Sequence, residues 1–153
     1  MSRFAAKAMI PNPRLAACKP FIGAWRTAGR HALLPGVELH GRTTFDWHEG
    51  GAFLIMRSEI DEPSVPTGIA IIGSDDQLGA FTMLYFDERG VSRHYEVSID
   101  HGVMRWSRTA PDFSQRYSIT ASSDGRTLHS AGELSRDGVT WNPDLELHYD
   151  RLK

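Results

Sequence analysis

The sequence predicts an all-β fold, an antiparallel up-and-down barrel of about ten strands with a short N-terminal helix. Beyond Gly23, β-rich runs recur about every ten residues, with turn signals between them. Only the stretch before Gly23 has the pattern of a helix. Turn signals at residues 87–90, 101–102, 124–125 and 137–138 join strands whose apolar residues all fall on one face. A chain of 153 residues can form one such domain with a sizeable core.

The helix is predicted to begin at Asn12-Pro13, with Asn12 as the N-cap and Pro13 in the first helical position. It should end near Gly23. We assign residues 1–20 to an N-terminal arm that carries this helix, and residues 21–153 to a single barrel domain. The apolar stripe of the helix is formed by Leu15, Cys18 and Ile22.

Ten strands follow from the β-rich runs. A longer break at residues 61–68 holds two prolines, which bar regular strand pairing there. The predicted strands cover residues 24–31, 37–47, 52–61, 67–75, 80–87, 91–100, 103–109, 113–121, 126–136 and 139–150.

The hairpin over residues 81–99 defines the inner face. Its loop reads as a type I turn closed by Gly90 in a bulge. This register pairs Tyr85 with Arg93, Met83 with Tyr95 and Phe81 with Val97, and opposed residues share a face. Carried through the later turns, the inner face also holds Met104, Trp106, Arg108, Phe113, Gln115, Tyr117, Ile119, Leu128, Ser130, Gly132, Leu134, Trp141, Pro143, Leu145, Leu147, Tyr149 and Arg151.

The hairpin around residues 48–51 leaves two registers open. A four-residue loop turns Arg57 and Glu59 outward, into a charge cluster with Arg42. A three-residue loop with a bulge would turn Arg57 and Glu59 inward instead. We favour the four-residue loop, which places Leu39, Phe45, Trp47, Leu54, Met56 and Ile60 inside.

The composition excludes several classes of protein. The net charge of −2 shows no excess of basic over acidic residues, so we expect no nucleic-acid partner. No apolar run approaches the roughly 18 residues of a membrane span, and no signal peptide is visible. Cys18, the single cysteine, cannot form an internal disulfide. We therefore expect a cytoplasmic protein without a membrane partner, and leave a homodimer open.

The segment Gly23-Ala24-Trp25, between a short helix and an antiparallel meander, resembles the calycin superfamily of lipocalins and fatty-acid-binding proteins. In lipocalins an arginine near the end of the last strand packs on this tryptophan, and Arg151 has the matching position. Residues 21–152, including FDWHEGGAFLIMRSEID and FTMLYFDERGVSRHYEVS, are similar to bacterial lipocalin-like proteins related to the ten-stranded nitrobindins. The resemblance implies a ligand-sized barrel interior and carries no specific activity.

Nitrobindins bind haem through a histidine on the last strand, and the candidate here is His148. The turn at residues 137–138 places His148 on the outer face with Glu146 and Asp150, where it cannot ligate a haem inside the barrel. We therefore predict no cofactor and keep haem binding as a third hypothesis. We also predict no metal site, because the remaining histidines on the polar face read as solvated: His40, His48, His94 and His129.

Two inward arginines, Arg93 and Arg108, flank Tyr95 without an inward carboxylate beside them. A buried arginine needs a counter-charge, and a ligand carboxylate suits its guanidinium group. The triplet Arg93-His94-Tyr95 also resembles the Arg-x-Tyr of fatty-acid-binding proteins, although it lies on a middle strand. Alternatively, both arginines reach solvent at the barrel mouth, or pair with Glu59 in the bulged register.

The leading hypothesis is a barrel that binds a small lipophilic, anionic molecule. The second is an enzyme, such as an isomerase, cyclase or tailoring enzyme, in which Tyr85 or Tyr95 beside an arginine is a general acid with a lowered pKa. The predicted ligand-binding residues, which lie on the inner face, are Tyr85, Arg93, Tyr95, Trp106, Arg108, Phe113, Gln115, Tyr117 and Trp141.

Overall fold

A computed structural model describes residues 9–153 and begins with a 3₁₀ helix over Pro13–Phe21. The side-chain oxygen of Asn12 accepts a hydrogen bond from the Arg14 N–H at 3.1 Å, so Asn12 is the N-cap, as predicted. The predicted helix is therefore present at this position.

The predicted apolar stripe of the helix is partly wrong. The buried helical side chains are those of Leu15, Cys18 and Phe21, three residues apart. A 3₁₀ helix has three residues per turn, whereas the prediction used α-helical spacing. Ile22 is therefore the C-cap residue rather than part of the stripe.

Ten antiparallel strands follow and form a closed barrel, as predicted. Each strand pairs with its neighbours in sequence, and β1 pairs with β10 to close the sheet. No helix in residues 9–153 is long and apolar enough to cross a membrane. The strands are β1 (Gly23–His31), β2 (Leu39–His48), β3 (Phe53–Ile60), β4 (Gly68–Ser74), β5 (Phe81–Asp87), β6 (Ser92–Asp100), β7 (Val103–Arg108), β8 (Ser114–Ala121), β9 (Thr127–Ser135) and β10 (Asn142–Arg151).

The helix covers one end of the barrel. Phe21, Trp25 and Phe45 are fully buried there, and the Phe21 and Phe45 rings lie 6.0 Å apart. Arg151 pairs in register with Trp25 and lies over its indole ring, as expected. The opposite end, where β1 finishes at His31, is open to a cavity.

The registers around β5 and β6 confirm the predicted inner face. Tyr85 pairs with Arg93, Met83 with Tyr95 and Phe81 with Val97. The first hairpin has the four-residue loop, because His48 pairs with Phe53. Arg57 and Glu59 accordingly lie outside, where Arg57 Nε contacts Glu59 Oε1 at 2.6 Å.

The predicted register of β9 and β10 is wrong near the barrel mouth. Leu134 pairs with Asn142, one residue later than a two-residue turn at Asp137-Gly138 requires. The turn is longer because the Asp137 carboxylate accepts hydrogen bonds from the Val139 and Thr140 N–H groups. A bulge between Pro143 and Glu146 then adds a second one-residue shift. The two shifts cancel in parity, so Leu147, Tyr149 and Arg151 keep their predicted face.

Candidate functional site

The barrel encloses a cavity of about 630 Å³ that opens beside His31, the loop around residues 64–66 and the first residues of β10. This volume lies within the usual range for small-molecule sites. Seven of the nine predicted ligand-binding residues line it: Tyr85, Arg93, Tyr95, Trp106, Phe113, Gln115 and Tyr117. Further apolar walls come from Met56, Ile60, Met83 and Leu147.

Trp141 and Arg108 do not line the cavity, contrary to prediction. Because of the longer turn before β10, Trp141 packs on the outer surface, with the Arg116 guanidinium 4.0 Å from its ring centre. Arg108 ends β7 opposite Gln115 and stays at the rim, half-buried. Burial raises the pKa of the Tyr95 hydroxyl, and the charge of Arg108 opposes this rise only in part.

A continuous chain of hydrogen bonds crosses one wall of the cavity. Tyr95 donates its O–H to Gln115 Oε1 at 3.0 Å, and Arg93 Nη1 donates to the same oxygen at 3.1 Å. Gln115 Nε2 donates to the Tyr117 hydroxyl at 2.8 Å. Tyr117 in turn donates to Asp144 Oδ2 at 2.7 Å. Every donor in this chain points toward Asp144, an arrangement in which successive hydrogen bonds polarise and strengthen one another.

His31 contacts the second carboxylate oxygen of Asp144, at the end of this chain of hydrogen bonds. Its Nε2 lies 3.0 Å from Asp144 Oδ1, and its Nδ1 accepts the Leu33 N–H at 3.0 Å. The proton is therefore on Nε2 in the neutral tautomer. The Asp144 backbone carbonyl also accepts the Ala32 N–H at 2.8 Å, which fixes β10 against the end of β1.

Asp144 is the residue that sequence reasoning missed. The expectation of no inward carboxylate is wrong, because the β10 bulge turns the buried Asp144 side chain into the cavity. Pro143 is the residue that could have indicated the bulge, because a proline has no N–H for the strand ladder and is typical of bulges.

Tyr85 lies at the mouth in a second cluster. Its hydroxyl donates to Asp87 Oδ2 at 2.7 Å, and Arg89 Nη2 contacts the same oxygen at 2.6 Å. Hydrogen bonding to Arg89 holds the pKa of the Asp87 carboxyl well below its usual range.

The expectation of a tyrosine with a lowered pKa is wrong. Burial raises the pKa of Tyr85, and the Asp87 hydrogen bond raises it further. Burial also raises the pKa of Tyr95, and it outweighs the opposing effect of Arg93. The same cause, joined by the charge of Asp144, raises the pKa of Tyr117. These hydroxyls therefore remain protonated hydrogen-bond donors.

Arg93 has no carboxylate partner within residues 9–153. Its hydrogen bond goes to the neutral Gln115, and its guanidinium carbon lies 5.2 Å from the centre of the Phe113 ring. The aromatic wall continues with Trp106 and Tyr117, whose rings stack at 5.5 Å. The cavity thus presents one half-buried positive group beside a largely aromatic surface.

The histidines fit a haem poorly. His148 faces away from the cavity, as predicted, with 64% of its side chain exposed. His31 is the only histidine that lines the cavity among the described residues, and both of its ring nitrogens already have partners. A haem iron would have to displace one of these contacts.

Comparison with known proteins shows the fold alone. No family model and no curated protein sequence matches the chain. Among solved structures, the chain is similar to Rv2717c from M. tuberculosis, with a TM-score of 0.64 and 16% sequence identity. The match covers 92% of this chain and 98% of that one. This similarity supports the ten-stranded barrel over nearly its whole length.

Proposed function

We propose that this protein binds a small lipophilic, anionic molecule inside its barrel. The observation that carries the proposal is Arg93, half-buried in the cavity without a carboxylate partner within residues 9–153. A guanidinium group removed from water is costly unless it is paired, and it matches a carboxylate in shape. The aromatic and aliphatic walls would hold the apolar part of such a ligand.

The charge of the cavity wall is consistent with an anion. Arg89 is neutralised by Asp87, and Asp144 is held by His31 and Tyr117. Arg93 remains as a half-buried positive group next to Tyr95, whose neutral hydroxyl could donate to the same ligand oxygen, and the exposed Arg136 adds a second positive charge to the cavity lining. The binding surface would therefore comprise Tyr85, Arg93, Tyr95, Trp106, Phe113, Gln115 and Tyr117.

The test compares a fluorescent lipophilic carboxylate with its methyl ester, titrated while tryptophan quenching is followed. The wild type should bind the acid more tightly than the ester. Because a hydrogen bond to a charged group contributes roughly 1.5–3 kcal/mol, Arg93→Met should weaken the acid by about tenfold or more and leave the ester unchanged.

The matched control is Arg105→Met, which removes an exposed arginine on the outer face of β7. It should leave the affinity for both compounds unchanged. An equal loss of acid and ester affinity in Arg93→Met would refute a charged anchor. Failure of the wild type to bind either compound would refute this ligand class.

A second candidate function is an enzyme acting on such a molecule, an isomerase, cyclase or tailoring enzyme. The observation that favours it is the His31–Asp144 pair inside the cavity, with Tyr117 bonded to the same carboxylate. Against it, the Asp144 oxygens and both His31 nitrogens are all engaged. Prolonged incubation with a bound acid, followed by mass spectrometry, should reveal a product that Asp144→Asn abolishes. Recovery of unchanged acid from the wild type would favour binding alone.

The superfamily and the location are also proposals. The Gly23-x-Trp25 segment and the Arg151 contact with Trp25 support a calycin-like barrel. Cys18 is a free thiol whose side chain is buried against the core, and burial raises its pKa to about 12. A single inert thiol is compatible with the reducing cytoplasm, which we keep as the proposed location.

A further inference from the structure

Three metal-ligating side chains meet on the outer surface of the barrel, away from the cavity. His129 on β9 pairs directly with His148 on β10, and Glu146 lies two residues before His148 on the same face. The ligating atoms of these three residues all lie within 4.8 Å of one another. The cluster does not correspond to a Cys/His sequence motif, because the pairing of β9 with β10 brings its members together.

We propose that His129, Glu146 and His148 bind one Zn²⁺ ion, with water in the remaining position. Two imidazoles and one carboxylate form a ligand set that zinc accepts in tetrahedral geometry, with metal–ligand distances of about 2.0–2.2 Å. That geometry requires ligand atoms roughly 3.4 Å apart. His148 Nε2 and Glu146 Oε1 are already separated by only 3.7 Å.

The barrel fixes the backbone while the side chains keep the freedom to close around an ion. His129 and His148 are exposed, and Glu146 is partly exposed. The two imidazole rings lie 4.7 Å apart and are tilted by 45°, so small side-chain rotations would aim one nitrogen of each ring at a shared point. The site needs no rearrangement of the strand ladder.

Arg30 is the group that competes with a metal. Its Nη2 donates to Glu146 Oε1 at 3.3 Å, but its side chain is 76% exposed and pairs only with this oxygen among residues 9–153. Glu146 Oε2 accepts no hydrogen bond from the residues that the structure describes. An ion can therefore take Oε1, the atom beside His148 Nε2, once Arg30 is released to solvent, or it can take Oε2 with Arg30 retained on Oε1.

The test is a calorimetric titration of the tag-free, chelator-treated protein with zinc chloride. The wild type should bind one zinc ion per chain with micromolar affinity. His129→Ala and His148→Ala should each weaken binding by at least about tenfold, because each removes one of three protein ligands. Glu146→Gln should weaken binding as well, since it removes the only negative ligand.

The matched control is His94→Ala, which removes an exposed histidine from the outer face of β6. It should leave zinc affinity unchanged. All four side chains lie outside the core, so near-ultraviolet circular dichroism should show native packing in each variant. No zinc uptake at micromolar concentration by the wild type would overturn the site. Equal affinity in the wild type and both cluster histidine variants would do the same.

Discussion

Arg151 lies over the indole of Trp25, with its guanidinium carbon 4.1 Å from the ring centre. Its nitrogens donate to three backbone carbonyls, those of Pro20, Ile22 and Gly125, at 3.4, 2.7 and 2.7 Å. One side chain near the end of β10 thus joins the helix, β1 and the β8–β9 turn. Gly23 leaves room for it, because a Cβ there would lie 2.5 Å from Arg151 Nη1.

Replacing Arg151 should therefore loosen the covered end of the barrel. We expect Arg151→Met to lower the free energy of unfolding by roughly 1–3 kcal/mol, because three carbonyls lose a charged donor and the indole loses its cation. Urea denaturation followed by tryptophan fluorescence measures the change. Arg105→Met is the control and should stay within about 0.5 kcal/mol of the wild type. Equal stability of the two variants would contradict a clamp at this end.

Gly132 on β9 should not tolerate even the methyl side chain of alanine. It pairs with Tyr117, and a Cβ at Gly132 would overlap Cδ1 and Cε1 of that ring. Gly132→Ala should therefore push Tyr117 away from Trp106 and Asp144 and cost roughly 1–3 kcal/mol of stability. Thermal unfolding and the near-ultraviolet aromatic signal should both change.

Gly73→Ala is the matched control for this substitution. A Cβ at Gly73 would have its nearest neighbour at 3.6 Å, which is an ordinary contact. The control variant should lose much less stability than Gly132→Ala and keep the native aromatic signal. A normal aromatic signal in Gly132→Ala would show that Tyr117 does not depend on the missing side chain.

Asp87 should make stability depend on pH. Its side chain is shielded from solvent, and its pKa is held below the usual value of about 3.9, chiefly by Arg89 and also by Tyr85. A carboxyl group whose pKa is lower in the folded protein than in the unfolded chain stabilises the fold at pH values above its unfolded-state pKa. This contribution is lost as pH falls through the folded-state pKa. Asp87→Asn should therefore cost roughly 1–3 kcal/mol at pH 7 and progressively less below about pH 4.

Urea denaturation of the wild type and Asp87→Asn at pH 7 and near pH 2 measures this difference. The exposed Asp46→Asn serves as the control and should track the wild type within about 0.5 kcal/mol at pH 7. A constant gap between the wild type and Asp87→Asn at both pH values would show that the Asp87 charge does not contribute.

Most of the barrel interior could be predicted because side chains alternate strictly along a strand. Once the tight turn after Asp87 fixes the pairing of Tyr85 with Arg93, every later inward residue follows as long as each turn length is known. This reasoning placed Gln115 and Tyr117 on the same inner face as Arg93 and Tyr95, although the hydrogen bonds among them depend on rotamers that no pattern reveals.

The prediction failed where turn length and strand regularity changed together. The Asp137 side chain organises a longer turn than its Asp-Gly signal suggests, and the bulge after Pro143 hides this error further along β10. Trp141 was therefore placed inside and Asp144 outside, the reverse of what the structure shows. Leu147 and Tyr149 keep their predicted face because two one-residue shifts cancel, so these residues do not reveal the error.

The pairing of β1 with β10 also governs how this protein can meet other proteins. In residues 9–153 the sheet has no free edge, so its ladder offers no unpaired row of N–H and C=O groups. A second copy or an aggregating chain therefore cannot extend the sheet by strand addition. Any self-association has to use side chains on the outer face or the loops, and it can be altered by surface substitutions that leave the ladder intact.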